Sequence, residues 1–138
     1  MSLKLFLAAL AILCSMAVAP ASAAVCLDKS MTIDEIVDAI NKTPGCERAM
    51  QLAQDCALGS GGDTQLGAAV EKKCEGDFLV GLKPPQKAAY TRELGVCDRK
   101  YRNRSGTMYV SFTAFCRAEV AQRYARRALN PRASRTTR

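Results

Sequence analysis

Apolar side chains recur along most of this chain at helical spacing. Ile33, Ile36, Val37 and Ile40 stand at i, i+3, i+4 and i+7, which is one stripe of a helix. Thr32-Ile33-Asp34-Glu35 precedes them as a capping box, in which the Thr hydroxyl accepts from the Glu35 N–H and the Glu carboxylate reaches back. Asn41 to Gly45 ends that helix, and Thr43-Pro44 suits the N-cap and first position of a second. There Cys46, Ala49, Met50 and Ala53 repeat the stripe, with Cys56 close to it. Gly59-Ser60-Gly61-Gly62 is a flexible break. Asp63 is expected to cap a third helix that carries Leu66, Ala69, Val70 and Cys74. That helix is expected to run on to Phe78 or Leu82, although Gly76 and Gly81 weaken the extension.

Pro84-Pro85 forces a stop and opens a fourth helix with Tyr90, Leu94, Cys97 and Tyr101 on one face. Asn103 to Thr107 reads as a polar turn. Met108 to Thr113 is rich in β-formers, so a short strand stays open there, whereas Phe112 to Leu129 reads as helix and Asn130-Pro131 ends it. In this last element Tyr109, Phe112, Cys116 and Val120 form a core-facing stripe at i, i+3, i+7 and i+11. Continuing the stripe gives Arg123 and Arg127, with Arg126 alongside. An unpaired guanidinium is too costly to bury. The bundle is therefore expected to end near Val120 or Arg123, with the last two turns in solvent. The fold class predicted is all-α: a disulfide-tied bundle of four or five short helices, with no internal repeat and no second domain.

The two ends differ from the body. Lys4 followed by an apolar run from Leu5 to Val18, then Pro20 and Ala21-Ser22-Ala23, reads as a signal peptide over residues 1–23. The run is shorter than the roughly 20 residues that span a bilayer, which disfavours the rival reading of a retained anchor. Val25 stands before Cys26 where a lipobox takes a small residue, so lipidation there is not expected. Residues 24–130 are then the helical disulfide domain, and residues 131–138 a disordered basic tail. The expected location is periplasmic or secreted, with no transmembrane segment left after signal removal.

The chain has 138 residues, 20 Lys+Arg, 13 Asp+Glu, no His and no Trp, for a formal net charge of +7. The missing His excludes imidazole bases and His-ligated metals. The charge is unevenly placed. Ala24 to Asp98 is net −4, whereas Arg99 to Arg138 is net +10 with Glu119 its sole acid.

Cys14 leaves with the signal, and Cys26, Cys46, Cys56, Cys74, Cys97 and Cys116 remain. An even count in an exported domain argues for three disulfides. None is in a CxxC, so a redox dithiol or zinc ribbon has little support. Six thiols allow 15 pairings. Antiparallel hairpins place residues equally far from a turn side by side, which favours Cys26–Cys56, Cys46–Cys74 and Cys97–Cys116. Cys74–Cys97 across Pro84-Pro85 is the rival.

No constellation supports catalysis, and no catalytic residue, metal or cofactor is assigned. Gly59 to Gly62 ahead of a helix can cradle an anion, but Asp63 and the lack of a following Lys favour a plain linker. Glu71 and Glu75 lie one helical turn apart, as acid–base partners do, and equally as a solvated helix face does. Asn103-Arg104-Ser105 matches a glycosylation sequon, a tripeptide common by chance. The unusual feature is the Arg-rich last third. Arg99, Lys100, Arg102 and Arg104 lead into the turn around Tyr101. Arg117, Arg123, Arg126 and Arg127 follow on the last helix as possible contacts for an anionic partner, because Arg forks suit carboxylate and phosphate. A basic surface that only solubilises is the competing reading.

Cys74-Glu75-Gly76-Asp77-Phe78-Leu79, Tyr90, Cys97-Asp98-Arg99-Lys100-Tyr101 and Phe115-Cys116-Arg117 resemble small exported Cys-paired helical proteins of proteobacteria. More remotely, over about residues 46–127, the chain resembles the periplasmic lysozyme inhibitors of the LprI type. The likeness implies a Cys-tied helical fold and assigns no residue a role. The function expected is that of a non-enzymatic periplasmic or secreted binding module, whose ligand is an envelope component or a wall hydrolase. A cationic surface protein that contacts anionic lipid, lipopolysaccharide or nucleic acid is the second expectation, and an enzyme of unrecognised type the third. The partner is left open between an anionic envelope component and a protein.

Overall fold

The computed structural model describes Cys26 and residues 31–130. The expected signal segment, with Cys14, and the expected basic tail at 131–138 lie outside the described residues. Five α-helices are found there, and no strand: α1 Ile33–Lys42, α2 Gly45–Asp55, α3 Asp63–Glu75, α4 Pro84–Lys100 and α5 Thr107–Leu129. A short 3-10 turn, Leu79–Gly81, sits between α3 and α4. No helix among the described residues is long and apolar enough to cross a membrane.

Local chemistry explains most of the boundaries. The α1 capping box is present, with the Thr32 N–H donating to Glu35 Oε2 at 2.8 Å and the Glu35 N–H donating to the Thr32 hydroxyl. Thr43 differs from the expectation. Its hydroxyl donates to the Ala39 carbonyl at 2.8 Å, so it closes α1, and Pro44 takes the N-cap position of α2. The next residue, Gly45, has φ +72°, a conformation strained for any residue with a Cβ. At the start of α4, Gln86 reaches back to accept from the Lys83 N–H at 2.8 Å, and Pro84 supplies the preset φ of a first turn.

Two expected elements are corrected. The third helix stops at Glu75 rather than at Phe78 or Leu82, because the chain tightens there into turns, with the Asp77 N–H donating to the Cys74 carbonyl and the Phe78 N–H to that of Glu75, and Phe78 leaves helical geometry at φ −139°. The strand left open at Met108 to Thr113 is helix from Thr107 onward, because packing against α3 overrides the β preference.

The central packing is α5 against α3, with α1, α2 and α4 arranged around this pair. Buried residues of α3 are Asp63, Leu66, Gly67, Ala69, Val70 and Cys74. Those of α5 are Ser111, Ala114, Ala118, Val120, Ala121 and Ala125. Five of these α5 positions, 111, 114, 118, 121 and 125, follow a three-four spacing of small residues. The expected aromatic stripe is therefore not the core face: Phe112 is 42% exposed, and Tyr109 and Cys116 are half-buried. The reason is the closeness of the helices. A Cβ built on Gly67 would stand 2.8 Å from the Ala114 carbonyl carbon and 2.9 Å from its oxygen. At this crossing Gly67 leaves no room for a side chain.

The bundle also continues past Arg123, contrary to expectation. Ala125 is 1% exposed, and Tyr124 packs with Phe78 and Tyr90 at ring centroid distances of 5.0–5.4 Å. Three disulfides tie the helices, and they are the pairs that hairpin symmetry favours: Cys26–Cys56, Cys46–Cys74 and Cys97–Cys116. They fasten the lead-in to the end of α2, α2 to α3, and α4 to α5.

Candidate functional site

Three of the four arginines of α5 are met by carboxylates of the acidic body. Arg117 binds Glu71 of α3 through Nε and Nη2 at 2.9 and 2.7 Å, and its Nη1 donates to both oxygens of Asp98 of α4 at 3.0 Å. Glu71, followed by Asp98, holds the Arg117 guanidinium pKa well above its usual value. Arg123 donates to Glu93 at 2.9 Å, and Arg126 grips Glu47 of α2 with two bonds of 2.6 and 2.7 Å. The Arg126 bond lowers the Glu47 pKa. Burial opposes the charge of Glu93, but the Tyr124 hydroxyl and Arg123 outweigh it and lower that pKa as well. Arg127 lies over the Tyr124 ring, 5.4 Å from its centroid.

The other sequence candidates are engaged too. Glu71 and Glu75 do not form an acid–base pair: Glu71 holds Arg117, while Glu75 accepts from the Tyr90 hydroxyl at 2.9 Å. Burial and the Glu75 charge push the Tyr90 hydroxyl well above its usual range. The glycine loop does cradle an anion, and that anion is Asp63. Its carboxylate accepts from the Leu58 N–H at 3.0 Å, the Ser60 N–H at 3.1 Å and the Ser111 hydroxyl at 2.7 Å. Asp63 therefore folds the loop back onto α5, while Gly62 holds the N-cap position that the sequence suggested for Asp63. Asn103, Arg104 and Ser105 are exposed in the turn.

Beside the Arg117 triad a cleft of about 370 Å³ opens between α3, the end of α4 and the start of α5. Glu71, Asp98 and Arg117 line it together with Thr64 and Thr113, and Tyr101, Tyr109, Arg102 and Arg104 lie at the α4–α5 turn. Tyr101, Tyr109 and Phe112 pack as one aromatic cluster, with centroids 5.7–6.0 Å apart. The Lys100 ammonium lies 5.1 Å from the Tyr101 ring centroid, and the Arg104 guanidinium 6.0 Å from that of Tyr109. Neither Arg102 nor Arg104 is paired with a carboxylate among the described residues. Among the described residues no group of three or more Cys, Asp or Glu is placed to hold a metal ion.

Sequence reasoning had Arg102, Arg104 and Tyr101 as a lead-in to the turn. It missed Thr64, Thr113 and Tyr109 as walls of one cleft, because their convergence depends on how closely α3 approaches α5. No family model, curated protein or solved structure matches this chain.

Proposed function

We propose that this protein is a non-enzymatic binding module of the periplasm or extracellular space, and that the cleft at the α4–α5 turn is its ligand site. The observation that carries the reading is the contrast in arginine chemistry. Arg117, Arg123 and Arg126 are spent on internal carboxylates, whereas Arg102 and Arg104 stand beside a tyrosine-walled cleft with none. The three disulfides support an oxidising compartment. Size favours an envelope component over a wall hydrolase as ligand. A stable protein partner needs about 800 Å² of buried surface per side. A cleft of about 370 Å³ instead lies at the small end of ligand pockets, about 300–1,000 Å³. An envelope component is therefore the favoured ligand, bound through part of its structure.

A nuclear magnetic resonance titration of the oxidised protein tests this. The probes are solubilised cell-wall fragments, lipopolysaccharide and phosphatidylglycerol vesicles. At least one should shift the amides of Tyr101, Arg102, Arg104 and Tyr109. If none does, or if shifts gather instead on the α5 face around Arg123 and Arg126, the reading falls.

A further inference from the structure

The floor and the rim of the cleft make different demands, and together they specify a ligand. The floor is Glu71 and Asp98 pinned by one guanidinium. Their oxygens are acceptors held at fixed positions, and each carboxylate oxygen keeps a lone pair beyond the one that Arg117 takes. Fixed acceptors suit several hydroxyl donors on one rigid ring. A simple anion would meet net negative charge at this floor. Thr64 adds a hydroxyl that both donates and accepts, while the Thr113 hydroxyl, which donates to the Tyr109 carbonyl at 2.9 Å, keeps its acceptor lone pairs. One wall is aromatic, Tyr101 beside Tyr109 with their rings tilted 37° to each other, and such ring surface suits the C–H side of a sugar. Beside it Arg102 and Arg104, the latter over the Tyr109 ring, offer planar forks that no carboxylate of the described residues occupies, and forks pair best with carboxylate or phosphate.

Resting on the binding-module reading above, we infer that the cleft takes an acidic sugar. Its ring hydroxyls donate to Glu71 and Asp98, its ring lies against Tyr101 and Tyr109, and its acid group sits between Arg102 and Arg104. The placement of charge, Glu71 and Asp98 around Arg117 on one side and Arg102 and Arg104 at the α4–α5 turn on the other, sets the ligand's orientation.

The test titrates the oxidised protein with a glucuronate-containing tetrasaccharide derived from hyaluronan, with its carboxyl-reduced counterpart, and with inorganic phosphate. The acidic sugar should shift the amides of residues 101–104 and 109, and the carboxyl-reduced sugar should bind at least about tenfold more weakly. The double variant Arg102→Ser, Arg104→Ser should lose acidic-sugar affinity by the same factor and keep its melting temperature, because neither side chain has a carboxylate partner to lose. Arg123→Ser, Arg126→Ser should keep full affinity. Equal binding of the acidic and reduced sugars overturns the acid-group assignment and leaves the cleft a binding site. So does an unchanged affinity in the Arg102, Arg104 variant. Competition by phosphate alone as strong as by the acidic sugar overturns the sugar assignment. If wall fragments or vesicles shift the cleft and no saccharide does, the sugar inference fails and the binding-module reading stands. If nothing shifts the cleft, both fail.

Discussion

Asp63 has no exposed surface, yet it keeps its charge, because burial is outweighed by the N–H groups of Leu58, Ser60 and Gly59 and by the Ser111 hydroxyl. The net effect lowers its pKa below the usual aspartate value of 3.8. A carboxyl lowered by folding stabilises the fold above its unfolded pKa, and that contribution is lost as pH falls through the folded value. Glu47 and Glu93 are lowered as well and add to the same limb. Urea unfolding is therefore expected to show constant stability from pH 7 to about 5 and a decline below about pH 4.5. Asp63→Asn keeps the shape but turns an amide N–H₂ toward donors. It should cost about 1.5–3 kcal/mol at pH 7 and flatten the acid decline. An Asn variant as stable as the parent would show that the loop closes without the carboxylate. Arg117→Ala makes a second residue-scale case. It leaves Glu71, with only 14% of its side chain exposed, facing Asp98 without a cation. A loss of about 2–3 kcal/mol is expected in the same measurement, and much of it should return when Glu71→Gln is added.

At the level of elements, α3 and α5 cross so closely at Gly67 and Ala114 that no side chain fits at 67. Gly67→Ala would drive a Cβ into backbone atoms of Ala114 rather than into a movable side chain. A loss of about 1–3 kcal/mol by thermal or urea unfolding is the expected result. Ala114→Gly should restore little of it, because the Ala114 carbonyl stays in place. Full rescue would mean that the Ala114 methyl alone sets the spacing. The same crossing shows what could be read in advance. Helices marked by Thr32, Pro84 and their apolar spacing were legible, because caps and periodicity are local properties. The core face of α5 was not. Tyr109, Phe112, Cys116 and Val120 are the more apolar stripe by side-chain size. The stripe through Ala114, Ala118, Ala121 and Ala125 wins because the helices approach so closely at Gly67 that no side chain fits there. That approach belongs to the pair of helices, and neither sequence segment announces it alone. The cleft was hidden for the same reason, whereas the arginines of its rim were visible as a charge run.

Across the whole molecule, the basic end is fastened to the acidic body through Arg117, Arg123 and Arg126, which link α5 to α2, α3 and α4. The outer two pairs are about half exposed, and such pairs are worth about 0.2–1 kcal/mol each. Changing Arg123, Arg126 and Arg127 to Ser together should lower stability by no more than about 2 kcal/mol, whereas Arg117→Ala alone should exceed that. Non-reducing peptide mapping should link Cys97 to Cys116, and replacing both by Ser should remove about 3 kcal/mol. The bridges also differ in their order along the chain. Cys26 and Cys46 pair with Cys56 and Cys74, so the first two loops interlock, while Cys97 and Cys116 are consecutive thiols. Suppose an oxidant joins each thiol to the one that arrived just before it. A chain threaded in from its N-terminus would then link Cys26 to Cys46 and Cys56 to Cys74, both wrong, and only the last bridge would be correct. Thiol trapping while the chain is threaded in should accordingly catch a Cys26–Cys46 species that must exchange before the native set is reached, with Cys97–Cys116 formed last. Maturation should therefore need a disulfide isomerase in addition to the oxidant that takes the electrons of the six thiols.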